Sequence, residues 1–88
     1  MKLKYKFVIR EIDNNPVAVA VGRDNAFFRG MIKLNHTGGF IFEMLSGNTT
    51  PEAIVNELCR KYDVSTDEAT DEVNDFLRRL RDEGLIEE

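Results

Sequence analysis

The residues best suited to nucleophilic or acid–base chemistry occur singly in this chain of 88 residues. His36 is the sole histidine and Cys59 the sole cysteine. A zinc site or a Cys/His nucleophile pair needs several such side chains close together, and this sequence cannot supply them. We therefore expect His36 to be an exposed residue in a first helical turn. We expect Cys59 to be a small apolar group within a helical stripe.

The glycines and carboxylates form no recognisable catalytic motif either. The pair Gly38 and Gly39 lacks the further glycine and the lysine of a phosphate-binding loop. No Ser/His/Asp set and no pair of catalytic carboxylates stands out from the sequence. The sequence therefore predicts a protein that is not an enzyme and that uses no metal or cofactor.

Asn35 lies where an alternating strand pattern changes to helical spacing, within residues Gly30–Phe42. Its side-chain oxygen can accept a hydrogen bond from an unpaired N–H group of the first helical turn, and Thr37 offers the same chemistry. The simplest interpretation of Asn35 is a helix cap. Any function of Asn35 beyond capping depends on the elements around it.

Length and composition are typical of a soluble globular domain. With 42% hydrophobic and 32% charged residues, the chain suits one hydrophobic core and so one domain over residues 1–88. No apolar run approaches the roughly 20 residues that a membrane span needs. The amino terminus alternates lysines with apolar residues and lacks the apolar core of a secretory signal, so we expect a cytoplasmic protein without membrane contact.

Charge is unevenly distributed along the chain. Through Ser46 there are seven basic and four acidic residues, a balance of +3, whereas the remainder carries five basic and twelve acidic residues, a balance of −7. Such polarity can steer a charged peptide or partner protein, although solvated faces of opposite sign are also common.

Alternation of apolar and polar residues predicts three antiparallel strands in the first half of the chain. The predicted strands are Lys4–Ile12, Val17–Val21 and Gly30–Leu34. Turn-forming residues 13–16 separate the first two strands, and a turn at Gly22–Asn25 is followed by a crossing through Phe27 and Phe28. The first two strands thus form a hairpin, which the third strand joins.

Helical spacing and capping residues predict three helices after the strands. The predicted helices are His36–Leu45, Pro51–Lys61, and a longer one from about Ser65 to Gly84. Capping-box residues precede the second and third helices. Acidic residues early in the third helix and arginines late in it suit the helix macrodipole. The predicted fold class is α+β, with a three-stranded antiparallel sheet followed by three helices.

A sheet of this kind has an edge strand whose unpaired N–H and C=O groups can pair with another chain. An extended peptide can add there as a fourth strand, with the third helix as a side wall. Lys33 can equally be a charge that discourages unwanted pairing at an edge. Both interpretations assume that the third strand is the open edge.

Several short motifs occur in a recognisable order between about Tyr5 and Ile86. After the hairpin they are Leu34–Gly38, Phe40–Gly47, Thr50–Val55, Tyr62–Ser65, Phe76–Leu77 with Leu80, and Gly84–Ile86. In this order and spacing the chain resembles the PqqD-like proteins, also called RiPP recognition elements. It departs from them at Phe42, where relatives often carry tryptophan, and at Gly39, where a helix-forming residue is more usual.

The resemblance implies a winged-helix-like peptide chaperone. Such a protein binds the leader segment of a ribosomally synthesised precursor peptide and presents it to a modifying enzyme, often a radical-SAM enzyme. It also implies that the peptide lies in the groove between the third strand and the third helix. On this sequence the implied peptide-binding residues are Met31, Ile32, Lys33 and Leu34 in the strand and Val73, Phe76, Leu77, Arg79 and Leu80 in the helix. Arg79 is expected to reach an acidic peptide side chain, whereas the apolar helix residues equally suit a core.

Three alternatives to a peptide chaperone remain open. A winged-helix DNA reader should carry a basic recognition helix, but the longest helix here opens with four carboxylates and the pI is about 5.0. A carrier protein would need an Asp-Ser-Leu attachment sequence, which Ser65 lacks. A homodimerising module would use the same sheet edge. The sequence leaves open the precursor peptide, the modifying enzyme, the oligomeric state, and whether the pathway makes a quinone cofactor or another modified peptide.

Overall fold

The computed structural model describes residues 1–22 and 31–88. The strands in these residues are β1 (Lys2–Leu3), β2 (Phe7–Ile12), β3 (Asn15–Ala20), β4 (Met31–Lys33) and β5 (Ile86–Glu87). The helices are α1 (His36–Met44), α2 (Pro51–Lys61) and α3 (Thr66–Asp82). The predicted third strand corresponds to β4. The predicted crossing through Phe27 and Phe28, and all of the predicted turn Gly22–Asn25 except Gly22, lie outside the described residues.

Strands β2, β3 and β4 form an antiparallel sheet in that order, which confirms the predicted sheet and the α+β class. Ile12 pairs with Asn15 across a two-residue turn. The turn residues Asp13 and Asn14 have positive φ angles of 53° and 65°, the conformation that matches the twist of a tight hairpin. The predicted turn over residues 13–16 was therefore too long, and β3 already begins at Asn15.

Pro16 lies inside β3 and determines where its pairing with β4 ends. The Leu34 N–H donates to the Pro16 carbonyl at 2.9 Å. In an antiparallel ladder the return bond would run from the nitrogen of Pro16 to the carbonyl of Leu34, but proline has no N–H to donate. The strand β4 accordingly stops at Lys33, just before α1.

Strands β1 and β5 form a second, two-stranded antiparallel sheet that joins the two ends of the described chain. The prediction of one continuous strand from Lys4 to Ile12 was wrong in its first three residues. The Lys4 N–H donates to the Leu85 carbonyl at 2.8 Å, and the chain bends before it joins the main sheet at Phe7. The Leu85 side chain is fully buried, so this residue packs onto the core.

The predicted capping residues begin all three helices. The Asn35 side chain accepts a hydrogen bond from the Gly38 N–H, and the Thr50 hydroxyl accepts one from the Ala53 N–H. The Ser65 hydroxyl accepts from the Glu68 N–H at 3.1 Å and lies 3.2 Å from the Glu68 carboxylate. Each side chain thus satisfies an N–H group that the helix itself cannot pair.

Helix α3 ends at Asp82, and Gly84 two residues later has a φ angle of 72° that is costly for residues with a side chain. The Gly84 N–H donates to the Arg81 carbonyl and the Leu85 N–H donates to the Leu80 carbonyl, both at 2.9 Å. These two bonds form a Schellman motif. The motif turns Leu85 into the core and leads the chain into β5.

One hydrophobic core lies between the main sheet and the helices. Its buried members are Ala18, Ile32, Leu34, Ile41, Phe42, Leu45, Ile54, Leu58, Ala69, Val73, Leu77, Leu80 and Leu85. Phe42 is 1% exposed and makes an edge contact with the ring of Phe7 at 5.2 Å between centroids. His36 is exposed and Cys59 is half-buried beside the core. Among the described helices, none is long and apolar enough to cross a membrane.

Candidate functional site

Strand β4 is an edge of the three-stranded sheet as described, with β3 on one side only. The Leu34 N–H donates to the Pro16 carbonyl, and Ile32 is the partner of Ala18. Because backbone groups alternate in direction along an antiparallel ladder, the N–H and C=O groups of Ile32 and the N–H of Leu34 point toward β3. The N–H and C=O groups of Met31 and Lys33 then point to the open side. The edge presents two backbone donors and two acceptors in the geometry of a strand.

A groove of about 260 Å³ opens between Asn35, helix α1 and one face of α3. The lining residues are Asn35, Gly38, Ile41, Glu72, Asp75, Phe76 and Arg79. Apolar atoms of α1 and α3 and charged side chains of α3 share this lining. The groove therefore offers both an apolar surface and charged groups to a ligand.

Phe76 packs against the first turn of α1, and Gly38 makes this contact possible. A β-carbon on Gly38 would lie 3.4 Å from a carbon of the Phe76 ring and 3.0 Å from the side-chain oxygen of Asn35. The same oxygen accepts the Gly38 N–H at 2.6 Å. The cap and the aromatic ring therefore share the space above Gly38, and this close packing shapes the apolar part of the groove.

Charged residues flank Phe76 along α3. Glu72, Asp75 and Arg79 follow the i, i+3, i+7 spacing that places side chains on one helix face. Asp75 contacts Arg78 at 3.5 Å, with both side chains more than 70% exposed. Arg79 lies 3.9 Å from Glu83. Such exposed pairs contribute little stability. Asp75 and Arg79 can therefore leave their present partners and form ion pairs with a ligand.

Four of the nine predicted binding residues are accessible, but only two of them line this groove. Met31 and Lys33 line a separate hollow with Asn15 and Val17. Met31 is 59% exposed and Lys33 is exposed at the β4 edge, and Phe76 and Arg79 line the groove. The other five are buried in the core at 6% exposure or less, namely Ile32, Leu34, Val73, Leu77 and Leu80. In this conformation these five side chains support the groove and the strand edge from beneath.

The groove also contains residues that the sequence did not single out for binding. Asn35 was assigned only as a cap, and the carboxylates Glu72 and Asp75 were not among the predicted binding residues. Their spacing from Phe76 on one helix face is the signal that points to Glu72 and Asp75. That signal has meaning only once the groove beside Phe76 is known.

Two solved structures are similar to this chain over almost its full length. TbiB1, determined in complex with the TbiA(beta) leader peptide, is 28% identical with a TM-score of 0.73, covering 99% of this chain and 95% of that chain. Lasso peptide synthetase B1, complexed with the leader peptide, is 20% identical with a TM-score of 0.68, covering 96% and 93% respectively. At that lower identity, the likeness to the synthetase shows the fold alone.

A search of curated protein sequences found no match. Comparison with family models did find one. The model for coenzyme PQQ synthesis protein D (PqqD) matches residues 14–86. This range begins in the hairpin turn and ends in β5, so it includes both the β4 edge and the groove beside α3. The chain therefore belongs to the PqqD family.

Proposed function

We propose that this protein binds an extended peptide, the leader segment of a ribosomally synthesised precursor, by strand addition to β4. The observation that carries the proposal is the open edge at Met31 and Lys33, which is followed two residues later by Asn35 in the lining of the groove that contains Phe76. The likeness to TbiB1, which was determined with a leader peptide bound, supports the same reading. Membership of the PqqD family agrees with it.

Peptide strand addition to β4 uses the backbone and the side chains of the ligand in different ways. The backbone pairs with the outward N–H and C=O groups of Met31 and Lys33. Side chains of a strand alternate between its two faces, so every second peptide residue is directed toward the groove. Because β4 is only three residues long, it forms few backbone bonds. Contacts with Phe76 and its neighbours therefore supply most of the sequence preference.

The proposed role is to bind a peptide and to present it, without catalysis, metal or cofactor. The peptide is then modified by a separate enzyme, which on the family resemblance is a radical-SAM enzyme. We place this activity in the cytoplasm and within one domain over residues 1–88. The five buried predicted residues act by holding β4 and α3 in position.

A second candidate function is homodimerisation through the same edge. Antiparallel pairing of two β4 strands would use the same outward backbone groups as a peptide. Peptide binding is favoured because the chain that follows the edge leads at Asn35 into a groove with apolar and charged side chains. DNA binding is disfavoured because the carboxylates of Glu72 and Asp75 on this face would repel phosphates.

The test is an NMR titration of the labelled protein with leader peptides encoded beside its gene, and with duplex DNA in parallel. We expect chemical-shift changes at Met31, Lys33 and Phe76 with one of the peptides and none with DNA. Silence with every neighbouring peptide, or a salt-dependent response to DNA alone, would overturn the proposal. Sedimentation at several concentrations separates peptide binding from self-association.

A pair of substitutions at one position tests strand addition itself. Lys33→Pro deletes an N–H group on the open side, whereas Lys33→Ala removes the same side chain and keeps the donor. Leaving a peptide carbonyl unpaired should weaken binding by Lys33→Pro about tenfold relative to Lys33→Ala. Equal affinities of these two variants would exclude backbone pairing at Lys33. Ile32→Pro serves as a structural control, since it removes an N–H that faces β3 and should destabilise the sheet.

A further inference from the structure

We propose that the groove selects a peptide with an apolar residue that lies on Phe76, a basic residue on one side of it, and an acidic residue on the other. This inference rests on the proposed function and specifies the class of peptide that the site accepts. It is carried by the order of charges on α3, in which two carboxylates precede Phe76 and one guanidinium follows it.

The spacing of these charges suits an extended peptide. At the rise of an α-helix, Glu72 lies about 6 Å before Phe76 along the helix axis, and Arg79 lies about 4.5 Å after it. Side chains on one face of a strand are about 6.6 Å apart. With the central apolar residue on Phe76, the groove-facing residues two positions before and after it therefore lie close to the opposite charges.

The charges along the groove are available to a ligand. Glu72 is half-buried and has no ion-pair partner in residues 1–22 and 31–88. Asp75 forms an ion pair with exposed Arg78 at 3.5 Å, and Arg79 lies 3.9 Å from exposed Glu83, which follows α3. A docked peptide would remove water from Glu72 first, because its side chain is already partly covered. A basic peptide residue compensates for that loss, whereas an acidic one adds repulsion.

The same arrangement gives the peptide a direction. The carboxylates and the guanidinium lie on opposite sides of Phe76, so a peptide with the order basic, apolar, acidic fits only one way along α3. The reverse order requires the reverse direction, in which the backbone pairing with β4 changes between parallel and antiparallel. The strand pairing with β4 fixes one direction, so exchanging the charges on α3 exchanges the charge order that the groove accepts.

The experiment is a selection from a displayed library of short random peptides. The wild-type chain is compared with the charge-swapped variant Glu72→Lys/Asp75→Lys/Arg79→Glu. The matched control is Asp71→Lys, which raises the net charge by the same two units but changes α3 outside the groove lining. Circular dichroism and thermal unfolding establish that each variant is folded.

We expect wild type and control to enrich peptides with an apolar residue between a basic and an acidic residue, each two positions away. The swapped variant should enrich the opposite charge order, or bind the wild-type peptides at least about tenfold more weakly. Enriched wild-type peptides without a charge preference, or the same charge order with the swapped variant, would overturn this inference and leave peptide binding intact. A wild-type chain that enriches no peptide would instead overturn the proposed function.

A second measurement needs no charge-swapped protein. The affinity of one enriched peptide is measured against wild type and Arg79→Ala, and again after its acidic residue is replaced by glutamine. If Arg79 contacts that residue, the second change has little further effect once the first has been made. Independent effects of the two changes would contradict the assignment of Arg79.

Discussion

Asn35 connects the strand edge to the helix that forms one wall of the groove. Its side-chain oxygen accepts the Gly38 N–H at 2.6 Å, and the residue itself lines the groove. Its φ and ψ angles of −87° and 177° are those of extended backbone. The residue thus ends the extended segment after β4 and begins α1 in a single step.

Replacing Asn35 tests how much the cap contributes to stability. Asn35→Ala should lower the free energy of unfolding by about 1 kcal/mol, because the Gly38 N–H loses its acceptor. Asn35→Ser keeps an oxygen within reach and should retain most of that stability. Urea denaturation of the two variants measures the difference. Equal losses would show that the cap bond contributes nothing.

Phe76 and Leu77 are neighbours on α3 with different surroundings, so they form a matched pair. Phe76 is half-buried in the groove, whereas Leu77 is 1% exposed in the core. Leu77→Ala should cost about 2–5 kcal/mol of stability. Phe76→Ala should cost less stability but weaken peptide binding at least about tenfold, since an aromatic anchor is lost. Thermal unfolding and peptide titration check both effects.

The contradictory outcome for this pair is specific. A Phe76→Ala protein that binds peptide as well as wild type, at a temperature where both are folded, would remove Phe76 from the site. Leu77→Ala serves as the control for destabilisation alone. It should bind peptide normally wherever it remains folded.

Residue-level function could be predicted only in part from the sequence. Glu72 and Asp75 precede the arginines of α3, and the helix macrodipole already explains that order. Nothing in the sequence distinguishes a carboxylate at a groove from one in open solvent. Likewise, Val73 and Phe76 belong to one apolar stripe, and only the packing of α1 against α3 buries the first and leaves part of the second accessible.

At the scale of elements, Gly39 and Pro16 form a complementary contact between α1 and β3. A β-carbon on Gly39 would lie 3.3 Å from the Cγ and 3.4 Å from the Cβ of Pro16. The sequence indicated only that Gly39 is unusual for its position in the family. The structure gives the physical reason, because the proline ring occupies the space that a larger side chain would need.

This contact predicts that substitutions at the two positions are coupled. Gly39→Ala should gain up to about 1 kcal/mol from helix propensity when Pro16 is replaced by alanine. In the presence of Pro16, crowding should remove at least about 0.5 kcal/mol of that gain. A double-mutant cycle by urea denaturation measures the coupling. Additive effects would show that the ring moves aside freely.

The small β1–β5 sheet shows why some elements could not be predicted. Each strand has two residues, too few for a pattern of alternation, and its partner lies at the other end of the chain. The helices could be predicted because each has its own cap and its own apolar stripe. Local signals were sufficient for local structure, whereas a pairing between the chain ends depends on how the whole chain folds.

At the scale of the whole molecule, the turn, the helix caps and the apolar spacing agree on the α+β class. The hairpin turn, the helix caps and the spacing of apolar residues all specify the same arrangement, which is the consistency expected of a foldable sequence. The unequal charge of the two halves does not enter the core, since none of the buried side chains in the described residues is charged. Charged surface residues can therefore be replaced to suit a ligand without changing the core.

The closure of the chain by β1 and β5 has a consequence for the order of folding. The hairpin of β2 and β3 closes over two residues, whereas pairing of Leu3 with Ile86 closes a loop of nearly the whole chain. Loop-closure entropy makes the hairpin an early event and the terminal sheet a late one. The two regions should consequently control different rate constants.

Substitutions at two residues with positive φ angles separate these rates. Asn14→Gly eases the hairpin turn and should speed folding roughly two- to fivefold. Gly84→Ala strains the entry to β5 and should speed unfolding by a similar factor while leaving the folding rate unchanged. Stopped-flow folding in urea measures both limbs, and a slower folding limb for Gly84→Ala would contradict this order. If the order holds, the lifetime of the folded protein is set where its two ends meet, far along the chain from the turn that starts its folding.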